Sequence, residues 1–247
     1  MRAVTFDVSV PKYLMGKALG GLSDSMFFGA PSGVSYVDLP EPPLPADDWV
    51  RVEILHAGIC GTDVATLTFG TSPSMEPVVS CPAVLGHAIL GRGVAVGPAV
   101  RRVEVGQRVA VDPFVSGTMR GFDAARRCPS CASGSHCTCE RAADAGELMV
   151  SGAPIRPGTC VGFHASLPGG WSERTIAHES HCFPVGDALS NRTAALIEPL
   201  SIAMHAVLNV RPFGQGPALV IGSGPIALGV VWALRAAGYT GELLAQV

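Results

Sequence analysis

The chain has 247 residues, of which 15% are charged and 48% hydrophobic, and 17 Lys and Arg against 20 Asp and Glu leave a formal net charge of −3. That balance gives no electrostatic reason to bind nucleic acid or an anionic membrane surface, and the low charged fraction leaves ample apolar material for a core. The length allows one large domain or two ordinary ones, and 30 glycines with 20 prolines predict many turns and short strands in a mixed α/β protein.

The opening run Met1-Arg2-Ala3-Val4-Thr5-Phe6-Asp7 lacks the apolar stretch of a secretory signal, so a cytoplasmic setting is expected. There the eight cysteines read as thiols and metal ligands rather than disulfides. Residues 11–33 read as loop and suggest no function. A proline-rich lead-in from Pro40 to Pro45 precedes Trp49-Val50-Arg51-Val52-Glu53-Ile54-Leu55, whose alternation predicts a strand. Short strands separated by glycine turns are predicted over Val94 to Val96 and Val103 to Val111, with further strand signals from Cys160 to Ile176. Up to about residue 185 the pattern is that of a small barrel.

Within this region, Ala57-Gly58-Ile59-Cys60-Gly61-Thr62-Asp63 is followed by Leu85-Gly86-His87, 27 residues after the cysteine. A thiolate and an imidazole held in turns can close on one zinc ion, and the Thr62 hydroxyl two residues away can carry a proton, the set of groups that activates an alcohol. Further on, Cys128, Cys131, Cys137 and Cys139 fall within 12 residues and open with a C-x-x-C pair, a pattern that predicts a structural zinc lobe. A redox pair is the competing reading, though no thioredoxin-type βαβ unit surrounds it. A single residue between Cys137 and Cys139 is tight for two ligands of one tetrahedral ion, so one of them is a candidate spectator.

The periodicity then changes. Asn191 to Leu208 predicts a helix in which Glu198 lies early among apolar neighbours. A carboxylate there either answers the helix dipole or, buried, seeks a metal or water partner. His205 reads as a packed or surface histidine; His56, His136, His164, His178 and His181 receive no role, and Cys81, Cys160 and Cys182 read as core. Ala218 to Ile221 predicts a buried strand, Pro225 to Ala237 a helix ended by Gly238, and Glu242 to Val247 a second strand, together a βαβ unit. The uncharged run from Pro212 to Leu234 is long enough for a membrane span, but its glycines and prolines divide it into strand, turn and helix. At its turn, Gly222-Ser223-Gly224-Pro225-Ile226-Ala227 has the glycines needed for a tight bend and for close approach to a pyrophosphate at a helix N-terminus. An ordinary strand-to-helix turn is the alternative. The acid that would bind a ribose falls near Gln246, where no carboxylate stands, so NAD and NADP both remain open.

Taken together, G-I-C-G-T-D at 58–63, L-G-H at 85–87, V-G-Q-R-V-A-V at 105–111, the cysteine lobe, E-P-L at 198–200 and G-S-G-P-I-A at 222–227 resemble the zinc-dependent medium-chain alcohol dehydrogenases, especially their polyol, threonine and glucose dehydrogenase branch. The resemblance implies a GroES-like β-barrel catalytic domain over 1–188 and a Rossmann-type nucleotide-binding domain beginning at 189–247. It implies catalytic zinc held or flanked by Cys60, His87 and Glu198, with Thr62 relaying the substrate proton and Asp63 orienting a ligand. It also implies structural zinc in the lobe, NAD or NADP on Gly222, Gly224, Pro225, Ile226 and Ala227, and a small alcohol or polyol as substrate, with homo-oligomerisation left open.

Three departures from that family pattern stand out. Ala88 occupies the place where the family commonly has Glu. Aligning Cys131 and Cys139 on the last two lobe ligands puts Ala125 at the first, so that Cys137 would have to substitute. Finally, one βαβ unit is less than a doubly wound sheet needs. The expectation is therefore a truncated chain of low stability with an exposed strand edge, and a catalytically impaired zinc-binding fragment or a metal-stabilised interaction module is the alternative function.

Overall fold

The computed structural model describes residues 1–29, 32–70, 79–211, 213–214 and 216–246. The chain begins with β1 (Arg2–Phe6), α1 (Val10–Leu19), α2 (Ser25–Phe28) and β2 (Val34–Asp38). It continues through β3 (Trp49–Ala57), α3 (Gly61–Leu67), β4 (Ala83–Val84), β5 (Ile89–Val96) and β6 (Arg108–Val111). An excursion holding α4 (Pro129–Ala132) and the hairpin of β7 (Met149–Val150) and β8 (Ala153–Pro154) leads back to β9 (Arg174–His178) and β10 (Cys182–Pro184).

Five antiparallel strands in the order β10-β6-β5-β3-β9 form the main sheet, and β1 pairs with both β2 and β4 at its side. The alternation predicted over Trp49 to Leu55 puts Val50 and Val52 fully inside, where they meet Ile89, Val109, Val111 and Ile176. The strand predicted from Val103 is shorter than expected. Val103 is buried, but the chain turns at Gly106, which has φ of 91°, while Gln107 Oε1 accepts a hydrogen bond from the Glu104 amide.

The described part of 11–33, residues 11–29 and 32–33, is mostly helix rather than loop, through α1 and α2. Ser9 caps α1, whose first turn holds Pro11, a favourable start. Gly16 weakens its propensity, yet a side chain there would overlap the ring of Phe69. The helix exists because it docks closely, through its own Tyr13 and Gly16, on the rings of Phe69 and Phe27.

The helix predicted over 191–208 is two, α5 (Asn191–Ala194) and α6 (Ile197–Leu208). Pro199 has no N–H to give to the Ala195 carbonyl and its ring crowds that group, so the helix must restart. The βαβ unit follows as β11 (Ala218–Ile221), α7 (Pro225–Ala236) and β12 (Leu243–Gln246), with β11 and β12 parallel. At Gly229 an added Cβ would lie 3.0 Å from that of Ala203, the close approach that lets α6 and α7 pack. Leu219 and Ile221 on β11 stand exposed. Among the described residues no helix is long and apolar enough to cross a membrane.

Gly86 joins the barrel to the candidate site. Its φ is 90°, and a Cβ there would overlap the indole of Trp171. That indole donates from Nε1 to the Gly58 carbonyl at 3.3 Å, and the Trp171 amide donates to the Leu85 carbonyl at 2.9 Å. One tryptophan thus ties the turn before Cys60 to the turn before His87. Gly86→Ala is expected to destabilise the chain by about 2 kcal/mol, from left-handed backbone strain and displacement of the indole. A shift of the urea midpoint measures it, and an unchanged midpoint would contradict this account of the turn.

Candidate metal and nucleotide site

Cys60 is the N-cap of α3, and Asp63, three residues on, reaches back so that its Oδ2 accepts from the Cys60 amide at 2.8 Å. This is half of a capping box, with Asp in the place of the usual Glu. The other oxygen, Oδ1, lies 3.4 Å from His87 Nδ1. Both atoms are buried without a hydrogen-bond partner, and Asp63 is wholly inaccessible. One carboxylate therefore fixes the turn that carries the thiol and faces the ring of His87.

Burial alone would lower the pKa of His87, but the Asp63 carboxylate beside it, with Cys60 and Glu198 contributing, raises it to about 9. Burial likewise opposes ionisation of Cys60, and Thr62 and His87 reverse this, so the thiol titrates below its ordinary value. The exposed Cys60 sulfur is 3.8 Å from the Thr62 hydroxyl. Burial lifts the Glu198 carboxyl above its usual range, against the pull of His87. Cys60, Thr62, Asp63 and His87 are thus brought together. Glu198 is within electrostatic reach, yet the ligand atoms of Cys60, His87 and Glu198 are not gathered within 4.8 Å of one another. Ala88, next to His87, is buried against Gly58, whose amide donates to the Ala88 carbonyl at 2.9 Å.

In the lobe, the sulfurs of Cys128, Cys131 and Cys139 lie within 4.8 Å of one another and all three residues are buried. Cys137 is exposed and outside the group, which corrects its expected role as a ligand. The reason is local. Cys137 sits in the 3-10 turn His136–Thr138, and with three residues per turn, residues two apart point to different sides. Burial and the neighbouring sulfurs push the Cys131 thiol up to about 12; a bound cation would reverse that preference. Arg120 is fully buried beneath the lobe. It donates to the carbonyls of Ala142, Asp144, Arg156 and Gly158. Burial lowers its pKa, opposed by the adjoining Cys139 sulfur.

A second group of ligand atoms, from Asp112, His136 and His181, also lies within 4.8 Å. No sequence pattern announces it, because the three residues are scattered: the pairing of β6 with β10 brings Asp112 and His181 together, and the lobe's 3-10 turn adds His136.

The nucleotide turn leaves β11 at Gly222, which has φ of 130° and whose amide donates to the Gln246 carbonyl on β12 at 2.8 Å. A Cβ at Gly222 would lie 3.5 Å from that of Ala227, so the small Ala227 keeps the bend tight. Gly224 is the N-cap of α7 and Pro225 lies in its first turn. A side chain at Gly224 would meet nothing within 4 Å, so open space lies before the amides of the helix start. That is the arrangement an anionic phosphate requires.

The chain is 33% identical over 198 residues to L-galactonate-5-dehydrogenase of Escherichia coli K12, covering 80% of this chain and 49% of the relative. It is 29% identical over 226 residues to (R,R)-butanediol dehydrogenase of Saccharomyces cerevisiae, covering 85% and 54%. Among solved structures it is similar to a short chain alcohol dehydrogenase (rspB) of E. coli CFT073 complexed with NADH, with a TM-score of 0.63, 27% identity, and coverage of 86% of this chain and 52% of that one. The chain spans about half the length of the curated relatives it matches. Residues 46–187, more than half of the chain, match the alcohol dehydrogenase GroES-like domain, the barrel that carries Cys60, His87 and the cysteine lobe, and the chain belongs to that family.

Proposed function

We propose that the chain carries the substrate-binding half of a zinc-dependent oxidoreductase that moves hydride between a small alcohol or polyol and NAD or NADP. The carrying observation is the Cys60–Asp63–His87 arrangement, in which one buried carboxylate serves both the thiol's turn and the imidazole. These residues fit a zinc ion. A thiolate and an imidazole suit this borderline metal, and the unpartnered pair Asp63 Oδ1 and His87 Nδ1 is the outer contact that fixes the ring of a metal-binding histidine, leaving Nε2 as its donor. Cys60 and His87 would hold the ion, with Glu198 as the third protein ligand. When bound, zinc would supply the Lewis acidity that polarises an alcohol oxygen and lowers its pKa.

The chain's own groups do the rest. The exposed Thr62 hydroxyl is placed to accept the substrate proton and pass it to solvent. The turn from Gly222 to Ala227 would offer amides to a cofactor pyrophosphate, leaving the choice between NAD and NADP to residues other than these. The names of the relatives support a secondary hydroxyl of a polyol or vicinal diol as the substrate class.

One observation favours a second reading. Ala88 supplies no carboxylate, and Glu198 stands off from the other two ligand atoms, so the chain could bind zinc weakly and turn over nothing. Zinc uptake and polyol-dependent NAD(P)H formation separate the two. On the first reading, Cys60→Ser removes one zinc per chain and abolishes turnover. Turnover that survives both Cys60→Ser and chelation would overturn it, and zinc lost without any turnover in the parent chain would favour the second.

A further inference from the structure

Asp112, His136 and His181 come from three parts of the fold. Asp112 follows β6 and His181 precedes β10, next to the register pair Val111 and Cys182. The Asp112 amide donates to the His181 carbonyl at 2.8 Å, which continues that ladder and holds the two side by side. His136 is contributed by the 3-10 turn of the cysteine lobe. The lobe and the barrel therefore meet at these three side chains.

Their geometry is that of ligands rather than of hydrogen-bond partners. Asp112 Oδ2 is 3.5 Å from His181 Nδ1 and 3.8 Å from His136 Nδ1, both too long or too poorly aligned for hydrogen bonds. Around a tetrahedral ion with bonds of about 2.0–2.2 Å, ligand atoms lie about 3.3–3.6 Å apart. The remaining contacts place the donors. Asp112 Oδ1 accepts from the Phe114 amide at 3.0 Å, which turns Oδ2 toward the histidines. The His181 Nε2 pairs with the Ser116 hydroxyl at 2.9 Å. The tautomer that donates from Nε2 leaves the Nδ1 lone pair pointing into the cluster, as a metal-bound histidine does through its second nitrogen. That Nδ1 is wholly buried and has no hydrogen-bond partner. The two imidazoles stand side by side, with ring centres 4.8 Å apart and planes tilted by 32°, each with Nδ1 within 3.8 Å of the same carboxylate oxygen.

We propose that Asp112, His136 and His181 form a binding site for a divalent transition-metal ion of the zinc class, separate from the Cys60 and cysteine-lobe groups. Two imidazoles and a carboxylate favour zinc, cobalt or ferrous iron over calcium or magnesium, which prefer all-oxygen sites. Partial exposure of His136 and Asp112 gives solvent access for a water as the remaining ligand. The ion would clip the lobe to the barrel at a point where the lobe's own cysteines supply only three gathered sulfurs.

The test uses the full chain, stripped of metal and titrated with zinc chloride and separately with cobalt chloride. His136→Ala is expected to bind one ion fewer per chain than the parent, and the lost cobalt absorption should contain no thiolate-to-metal band. Uptake unchanged by His136→Ala overturns the proposal, as does a lost component that carries thiolate absorption. Should His136→Ala fail to fold by circular dichroism, Asp112→Asn replaces it. Asparagine keeps the oxygen that accepts from Phe114, and the same one-ion loss is expected.

Discussion

Replacing Arg120 by methionine should lower the stability of the chain by about 4 kcal/mol, measured as a fall in the urea midpoint at constant slope. Its buried guanidinium serves the carbonyls of Ala142, Asp144, Arg156 and Gly158, so it closes the loop between the lobe and the β7–β8 hairpin from inside. Orphaning a buried acceptor costs about 1–3 kcal/mol. Four acceptors outweigh the relief of removing a buried cation whose Nε has no hydrogen-bond partner. Arg120→Lys tests the geometry: an ammonium is a point donor and cannot span four carbonyls, so roughly half of the loss should persist. A methionine variant within about 1 kcal/mol of the parent would show that the loop is held by other contacts.

The stability of the metal-free chain should peak near pH 6.5, because the half-buried His87 and the buried His164 are shifted in opposite directions from that value. His87, raised to about 9, holds its proton more tightly in the fold than in the unfolded chain. Its stabilisation is full below the unfolded pKa and is lost as pH rises through about 9. His164 behaves conversely. Burial depresses it to about 4, and the fold accommodates the neutral ring, with Nε2 paired to the Arg156 carbonyl and Nδ1 accepting from the Ser166 amide. The unfolded chain takes up a proton first as pH falls, so that stabilisation is present above 6.5 and is lost as pH falls through about 4. Each limb should amount to about 3 kcal/mol, from about 1.4 kcal/mol per pH unit. Urea midpoints in the presence of a chelator measure both. Asp63→Asn should flatten the alkaline limb and His164→Gln the acid one; limbs that survive these changes would assign the dependence to other groups.

What could be read from the sequence follows from how local each feature is. The Cys60 turn and the Gly222 bend are decided within a few residues, by an N-cap three positions before an acid and by glycines at the start of a helix. Their composition therefore carries them. The barrel strand at Trp49 was legible for the same reason, since alternation over seven residues is enough to define a buried face. Helix α1 was not, because Gly16 and Gly20 argue against it locally and the rings of Phe69 and Phe27 that hold it lie outside the segment. The Asp112 cluster was invisible because a strand register, not a motif, joins positions 112 and 181. Cys137 looked as good a ligand as Cys139 until the 3-10 turn separated the directions of the two side chains. Arg120 gave no signal either, for an arginine among loop residues reads as surface, and only the convergence of four carbonyls explains its burial.

The position of Trp171 has an optical consequence. The chain has three tryptophans. Trp49 is sealed in the barrel core at 1% exposure, Trp232 is 53% exposed on α7, and Trp171 is half-buried with its indole bonded to the Gly58 carbonyl beside the Cys60 turn. Emission from the three therefore samples the core, the βαβ unit and the Cys60 turn in different solvent environments. With the other two changed to phenylalanine, the remaining indole at 171 becomes an intrinsic fluorophore whose wavelength follows the docking of the Cys60 turn on the His87 turn, separately from unfolding of the barrel.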